Sequence, residues 1–195
     1  AQTWSSTGAI PVVLTENVFS NEIGPGLALP NGQIFQIGGN GYTALYTPST
    51  NSWALGPQTV EQQTTLAAAI PGPNATSITM TSSSGAPATP FFIEIDQEVM
   101  KVTAVNGTTW TVKRGQYGTT AIAHANGADA AQFFIAGDDP AAELPDGEVI
   151  FDAGQQIETA PTTLFDYNPS TNTTTPLDTS AMPAALKNYL ANNSD

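Results

Sequence analysis

The side chains with the most chemical capacity gather between residues 94 and 124. Glu94, Asp96 and Glu98 recur with period two, Arg114 is followed by Gly115 and Gly118, and His124 is the only histidine. Acids spaced two apart share one face of an extended strand, where one could serve as general acid and another as base. The same spacing fits a charged solvent face opposite Phe91, Ile93, Ile95 and Val99, and this plainer arrangement is expected. Arg114 and its glycines could form an anion-binding loop, because glycines expose backbone donors and arginine supplies a forked cation. The spacing does not match a phosphate-binding loop, so Arg114 is expected to pair with Asp96 or Glu98 in a turn scaffold.

Metal binding at His124 would need converging acids that the sequence does not display, and a hydrogen-bonded loop histidine is expected. Asp138 and Asp139, with Asp146, Glu148 and Asp152 nearby, could make a surface calcium site. No Asp-x-Asp-x-Asp-Gly loop is present, so a solvated acidic rim is the expectation. Serine and threonine are too common for a Ser-His-Asp triad to stand out. No catalytic residue, metal ligand or cofactor is assigned, and the chain is read as a non-enzyme. Trp53, Trp110 and Tyr117 could stack on a glycan or lie in an interface; packing in the core or an interface is preferred.

The elements that must position these groups are short strands. In 195 residues, Lys and Arg total 4 against 17 Asp and Glu, a formal charge of -13 that would repel nucleic acid. The absence of cysteine excludes disulfides, thiolate metal sites and thiol catalysis. No apolar run approaches the roughly 18 residues of a membrane span, and no signal peptide is visible at Ala1.

One pattern occurs twice: Leu29-Pro-Asn-Gly-Gln-Ile-Phe-Gln-Ile-Gly-Gly39 and Leu144-Pro-Asp-Gly-Glu-Val-Ile-Phe-Asp-Ala-Gly154. Each copy leads to a second shared element, Tyr46-Thr-Pro-Ser-Thr-Asn51 and Tyr167-Asn-Pro-Ser-Thr-Asn172. The second copy is longer, with the excess at 155–161. Pro30-Asn31-Gly32 and Pro145-Asp146-Gly147 read as turns in which the Asn-Gly pair takes positive backbone angles. Gly38, Gly39 and Gly154 close the following strand, and four strands per copy are expected. Trp53 of the first copy corresponds to Thr174 of the second.

These motifs resemble Kelch-type blades of galactose-oxidase-like propellers over residues 24–57 and 138–178. The tyrosine, histidine and cysteine copper site of such oxidases is not reproduced. Between the copies, Phe91–Ile95 and Met100–Val105 read as strands with a turn at Asp96-Gln97. Asn106-Gly107 signals a hairpin to Thr108–Arg114. The run from Ile95 to Gly127, above all Val112-Lys-Arg-Gly-Gln-Tyr-Gly-Thr-Thr120 with His124, is similar to a small β module recurrent in tailed-bacteriophage structural proteins.

The expected class is all-β: two Kelch-like four-stranded blades with an inserted small β domain, the propeller being completed by oligomerisation. The expected divisions are an arm at 1–23, a first blade at 24–61, the insert at 62–136, a second blade at 137–179, and a short helix and tail at 180–195. The arm contributes Ala9–Leu14 and Asn17-Val-Phe19. The helix, over Pro183–Leu190, would be capped by Ser180 and docked through Leu186, Tyr189 and Leu190. Since propellers need about four to eight blades, a homotrimer with six is preferred. The resemblance implies a virion protein, foremost a capsid decoration or stabilising protein that partners the major capsid protein or another virion protein. Nucleic acid and membrane are not expected partners. A tail fibre component and a secreted glycan-binding module are the alternatives.

Overall fold

The computed structural model describes residues 6–15, 22–137, 139–154, 162–178, 180 and 182–192. Asn17 to Phe19 and the 155–161 loop therefore lie outside the described residues. Among the described residues the fold is all-β with three antiparallel sheets of four, six and four strands, followed by one helix. The chain divides into two compact units, one formed by residues 1–59 with 135–195 and the other by 60–134.

In the first unit, each copy of the repeat forms a four-stranded meander. The first comprises β1 (Gly26–Ala28), β2 (Ile34–Ile37), β3 (Thr43–Thr47) and β4 (Ser52–Leu55). The insert supplies β5 to β10. The second meander comprises β11 (Ala141–Glu143), β12 (Val149–Gly154), β13 (Thr162–Asn168) and β14 (Thr173–Pro176). Register aligns them residue by residue. Ile34 faces Tyr46, which faces Trp53; correspondingly, Val149 faces Tyr167, which faces Thr174.

The turns agree in their bonds. Gly32 N donates to Leu29 O and Gly147 N to Leu144 O, both at 2.9 Å, and Leu29 N and Leu144 N donate to Gln33 O and Glu148 O. The positive angle falls on glycine alone, at Gly32 (φ 84°) and Gly147 (φ 87°), not on Asn31 as the Asn-Gly reading expected. The side chains of Asn31 and Asp146 instead accept from the amides of Gln33 and Glu148, a local bond that fixes the turn without a left-handed Asn. Likewise, Tyr46 and Tyr167 donate their hydroxyls to Asn51 and Asn172, five residues on.

The two meanders pack by opposite faces. Phe35, which points one way from β2, stacks on Tyr167 with ring centroids 3.8 Å apart and planes 6° from parallel. It also lies 6.3 Å from Phe151, which itself stacks on Phe165. By register, Phe35 corresponds to Ile150 and Phe151 to Gln36. Neighbours along a strand point to opposite faces, so the front of the first sheet meets the back of the second. Phe35, Ile37, Val149, Phe151, Phe165 and Tyr167 are all buried there.

The second unit contains β5 (Val60–Thr65), β6 (Ser77–Thr79), β7 (Phe91–Ile95), β8 (Glu98–Asn106), β9 (Thr109–Gln116) and β10 (Asp129–Phe133), ordered β5-β10-β7-β8-β9-β6. Ala67 N to Thr79 O (2.8 Å) and Thr81 N to Thr65 O (2.9 Å), with the Leu66–Met80 bridge, return β6 to the end of β5 and close a barrel. Its interior holds Leu66, Ile78, Met80, Phe91, Ile93, Ile95, Met100, Val102, Trp110 and Val112. In the hairpin after Asn106, the positive angle is on Gly107, and the two-residue loop is Gly107-Thr108. Strands β5 and β10 were not anticipated.

The helix α1 (Ala184–Asn192) departs from expectation at both ends of its argument. Ser180 does not cap it, because its hydroxyl donates to Asp178 instead. Only Leu190 is buried, while Leu186 and Tyr189 are 40% and 57% exposed.

The stack between the repeats has a measurable signature. Phe35→Ala and Tyr167→Ala should each cost about 3–5 kcal/mol in denaturant unfolding. The double variant should cost clearly less than the sum, since each ring is the other's partner.

Candidate functional site

The chemically richest residues meet at one end of the barrel. The Asp96-Gln97 turn is the reason. It places Glu98 opposite Ile95, so Glu98 shares the inward face of β7 instead of continuing the outward row of Glu94. The expected solvent face is thus corrected for two of its three acids: Glu94 and Glu98 are buried, at 5% and 0% exposure, while Asp96 in the turn is exposed. A hairpin interrupts the period-two pattern on which that expectation rested.

Glu98 accepts from five donors. Its Oε1 takes Arg114 Nε (2.7 Å) and Gly115 N (3.1 Å), and its Oε2 takes Arg114 Nη2 (2.7 Å), Ile122 N (3.0 Å) and His124 Nε2 (2.8 Å). Arg114 also donates to the carbonyls of Gly72 and Ile122. Of the two expected acids, Glu98 is the one Arg114 pairs with. His124 is a buried, hydrogen-bonded histidine, its Nδ1 lying 3.0 Å from Asp96 Oδ2. Backbone bonds in both directions tie His124 to Ile70. The network therefore fastens the β7–β8 turn, the end of β9 and the segments around 70–72 and 115–124 to one carboxylate.

Burial alone would push the Glu98 carboxyl up. Bonds from Arg114, His124, Ile122 N and Gly115 N outweigh it and bring the pKa from 4.5 down to about 2. Such a group is ionised and fully bonded, which suits a structural lock; a general base needs a free lone pair aimed at a substrate. The adjoining turn is strained, because Asp96 (φ 48°) and Gln97 (φ 73°) both occupy the left-handed region that favours glycine.

The other candidates separate. Trp110 is 1% exposed within the barrel, edge-on to Phe91 with its Nε1 on Ser83, and offers no ring face to a sugar. Tyr117, also at positive φ, packs on Phe92 and Phe133 outside the barrel. Trp53 is half-buried beside Tyr46, its Nε1 donating to Thr7. Pro30 and Gly147 come together: a Cβ on Gly147 would sit 2.9 Å from the Pro30 ring. Pro145 and Asp146 occupy the matching turn. Gly38 is required by crowding, as its Cβ would approach Tyr42 O and Leu14 O within 2.8 Å.

Gly39 and Gly154 reveal more of the repeat than the motif. Gly39 N donates to Leu14 O, and Gly154 N donates to Ile135 O. Buried Leu14 and Ile135 therefore occupy equivalent places before each meander. Of the acids considered for calcium, Asp138 lies outside the described residues, and Glu148 is bonded to Asn168. Among the described residues, no cluster of three or more His, Asp or Glu stands as a metal site, and no helix is long and apolar enough to cross a membrane.

A groove of about 290 Å³ lies between the second meander and α1, lined by Ala142, Ile150, Leu164, Leu186, Tyr189 and Leu190 among others. It lies on the face of that sheet turned away from Phe35. Burial, with Glu148 next to it and the charge of Asp146, pushes the Asp166 carboxyl on this face up.

Glu98 gains from folding in its charged form, because its folded pKa lies below the unfolded one. That gain, about 3 kcal/mol, is complete above pH 4.5 and is lost as pH falls toward 2. Unfolding measured across this range should show the loss, and Glu98→Gln should remove it while costing about 3–5 kcal/mol at neutral pH. Separately, Gln97→Gly should stabilise by about 1 kcal/mol in chemical denaturation by relieving the left-handed angle.

No protein-family model matches the chain, and no curated protein matches its sequence.

Proposed function

We propose that the chain is a non-enzymatic structural subunit of a bacteriophage particle, a capsid decoration or stabilising protein that works as a homo-oligomer. In this reading, the two meanders are Kelch-type blades, and neighbouring copies supply the rest of a propeller. The observation that carries it is the packing of two equivalent sheets by opposite faces, front to back. That is how blades succeed one another around a propeller axis, and it leaves the outer face of β1–β4 at one end of the pair and the face of β11–β14 that α1 partly covers at the other. Propellers hold about four to eight blades. Three chains supply six, and a closed ring of identical subunits satisfies every end.

The barrel supports the same reading through its sequence resemblance to modules of tailed-phage structural proteins. Its ion cluster is spent on holding loops to strands, as suits a rigid scaffold. The proposed partners are further copies and the major capsid protein or another virion protein.

Light scattering on the purified protein should give three times the 20.2 kDa chain mass. A monomer at every concentration reached would overturn the self-association. An antibody raised against the chain should decorate the surface of particles whose genome encodes it, and bare particles would overturn the virion placement.

A further inference from the structure

Lys and Arg number only 4 against 17 acids, and the fold occupies two of them. Arg114 is bonded to Glu98 and to the carbonyls of Gly72 and Ile122, and Lys187 donates to Ser180 O at 2.7 Å. Lys101 and Lys113 remain, and they stand directly opposite each other in the register of β8 and β9. Their strand neighbours Val102 and Val112 face the barrel interior, so both lysines point to its outer surface. Among the described residues neither makes an ion pair.

Like charges placed opposite one another on a sheet repel. The pair is nonetheless held in place: Lys101 is half-buried with its Nζ 5.4 Å over the Phe92 ring, and Lys113 is exposed beside it. A carboxylate set between two such ammonium groups turns their repulsion into attraction. The same chain displays carboxylates on one small element, the hairpin between β11 and β12. Glu143 and Asp146 are exposed there, and Glu148 follows half-buried. By register and motif they replace Ala28, Asn31 and Gln33 of the first repeat, whose residues 24–59 hold no Asp, Glu, Lys, Arg or His. The turn does not need the charge, because Asn31 accepts from Gln33 N just as Asp146 accepts from Glu148 N.

We infer that the Lys101 and Lys113 pair on the barrel of one copy docks the acidic β11–β12 hairpin of a second copy. The inference rests on the self-association proposed above and adds a charged contact to it. Copies that each carry -13 repel one another at long range. A second copy is the specified occupant because the cations left over by the fold and the acids that the turn does not require are complementary and present in the same chain. The two sides differ, so the contact passes from each copy to the next, as a closed ring of identical subunits allows.

Reversing the charges tests both sides. Lys101→Glu with Lys113→Glu should weaken self-association about tenfold in sedimentation, and Glu143→Lys with Asp146→Lys should do the same. All four substitutions in one chain restore opposite charges and should recover most of the loss. Should either pair lose the unmutated protein's thermal unfolding profile, Lys113→Glu and Glu143→Lys, both at exposed positions, replace them. Lysine variants that associate as the unmutated protein does, or a loss that the combined variant fails to repair, would overturn the contact while leaving self-association standing. An unmutated protein that is itself monomeric would remove both.

Discussion

The first unit depends on one contact, the stacking of Phe35 on Tyr167. A four-stranded meander is too small to bury both of its faces, and each copy of the repeat solves half of the problem for the other. The contact is directional because Phe35 corresponds to Ile150, not to an inner residue of the second sheet. Had the two sheets met by equivalent faces, the pair would have formed a closed sandwich. Meeting front to back, they form an open series of two, and the groove and the half-buried tyrosine and tryptophan at its ends follow from that choice.

The second unit obtains its order differently. Its barrel has an apolar interior, and at one end a buried carboxylate gathers an arginine, a histidine and two backbone amides. Taking a charge out of water is costly unless its bonds are made, and here every lone-pair direction is used. The cluster specifies where the 115–124 segment lies, because all of its donors share one acceptor, and displacing the segment would leave the Gly115, Ile122 and His124 donors unmatched. It also supports the strained Asp96-Gln97 turn, whose left-handed angles place Glu98 on the inward face.

Much of this was legible from local chemistry. The repeated Pro-Asn/Asp-Gly turns, the strand pairs beside them and the correspondence of Trp53 with Thr174 could be read because turns and alternation are short-range signals. The pairing of Arg114 was read to within two candidates. What escaped was long-range or compositional. Strand β5, Val60-Glu-Gln-Gln-Thr-Thr65, has almost no apolar alternation and is a strand because its neighbours in the barrel supply partners on both sides. The burial of Glu98 could not be seen from period-two spacing, since a two-residue turn changes which face the next residue occupies. The opposite-face packing was likewise hidden, although its trace is present: apolar residues concentrate on alternate strand positions in the two copies, at Phe35 and Ile37 in one and at Val149 and Phe151 in the other.

That shift of the apolar face between equivalent strands is the basis for the proposed assembly, and the absence of cysteine permits a direct test of it. With Leu55→Cys and Leu186→Cys, exposed positions at the two ends of the stacked pair, in the same chain, a bismaleimide spanning about 10 Å, the spacing of packed sheets, should join copies into a ladder of covalent oligomers. Either cysteine alone should give none. A double variant that stays a single chain after treatment, or equally efficient dimers from one cysteine alone, would contradict the head-to-tail account.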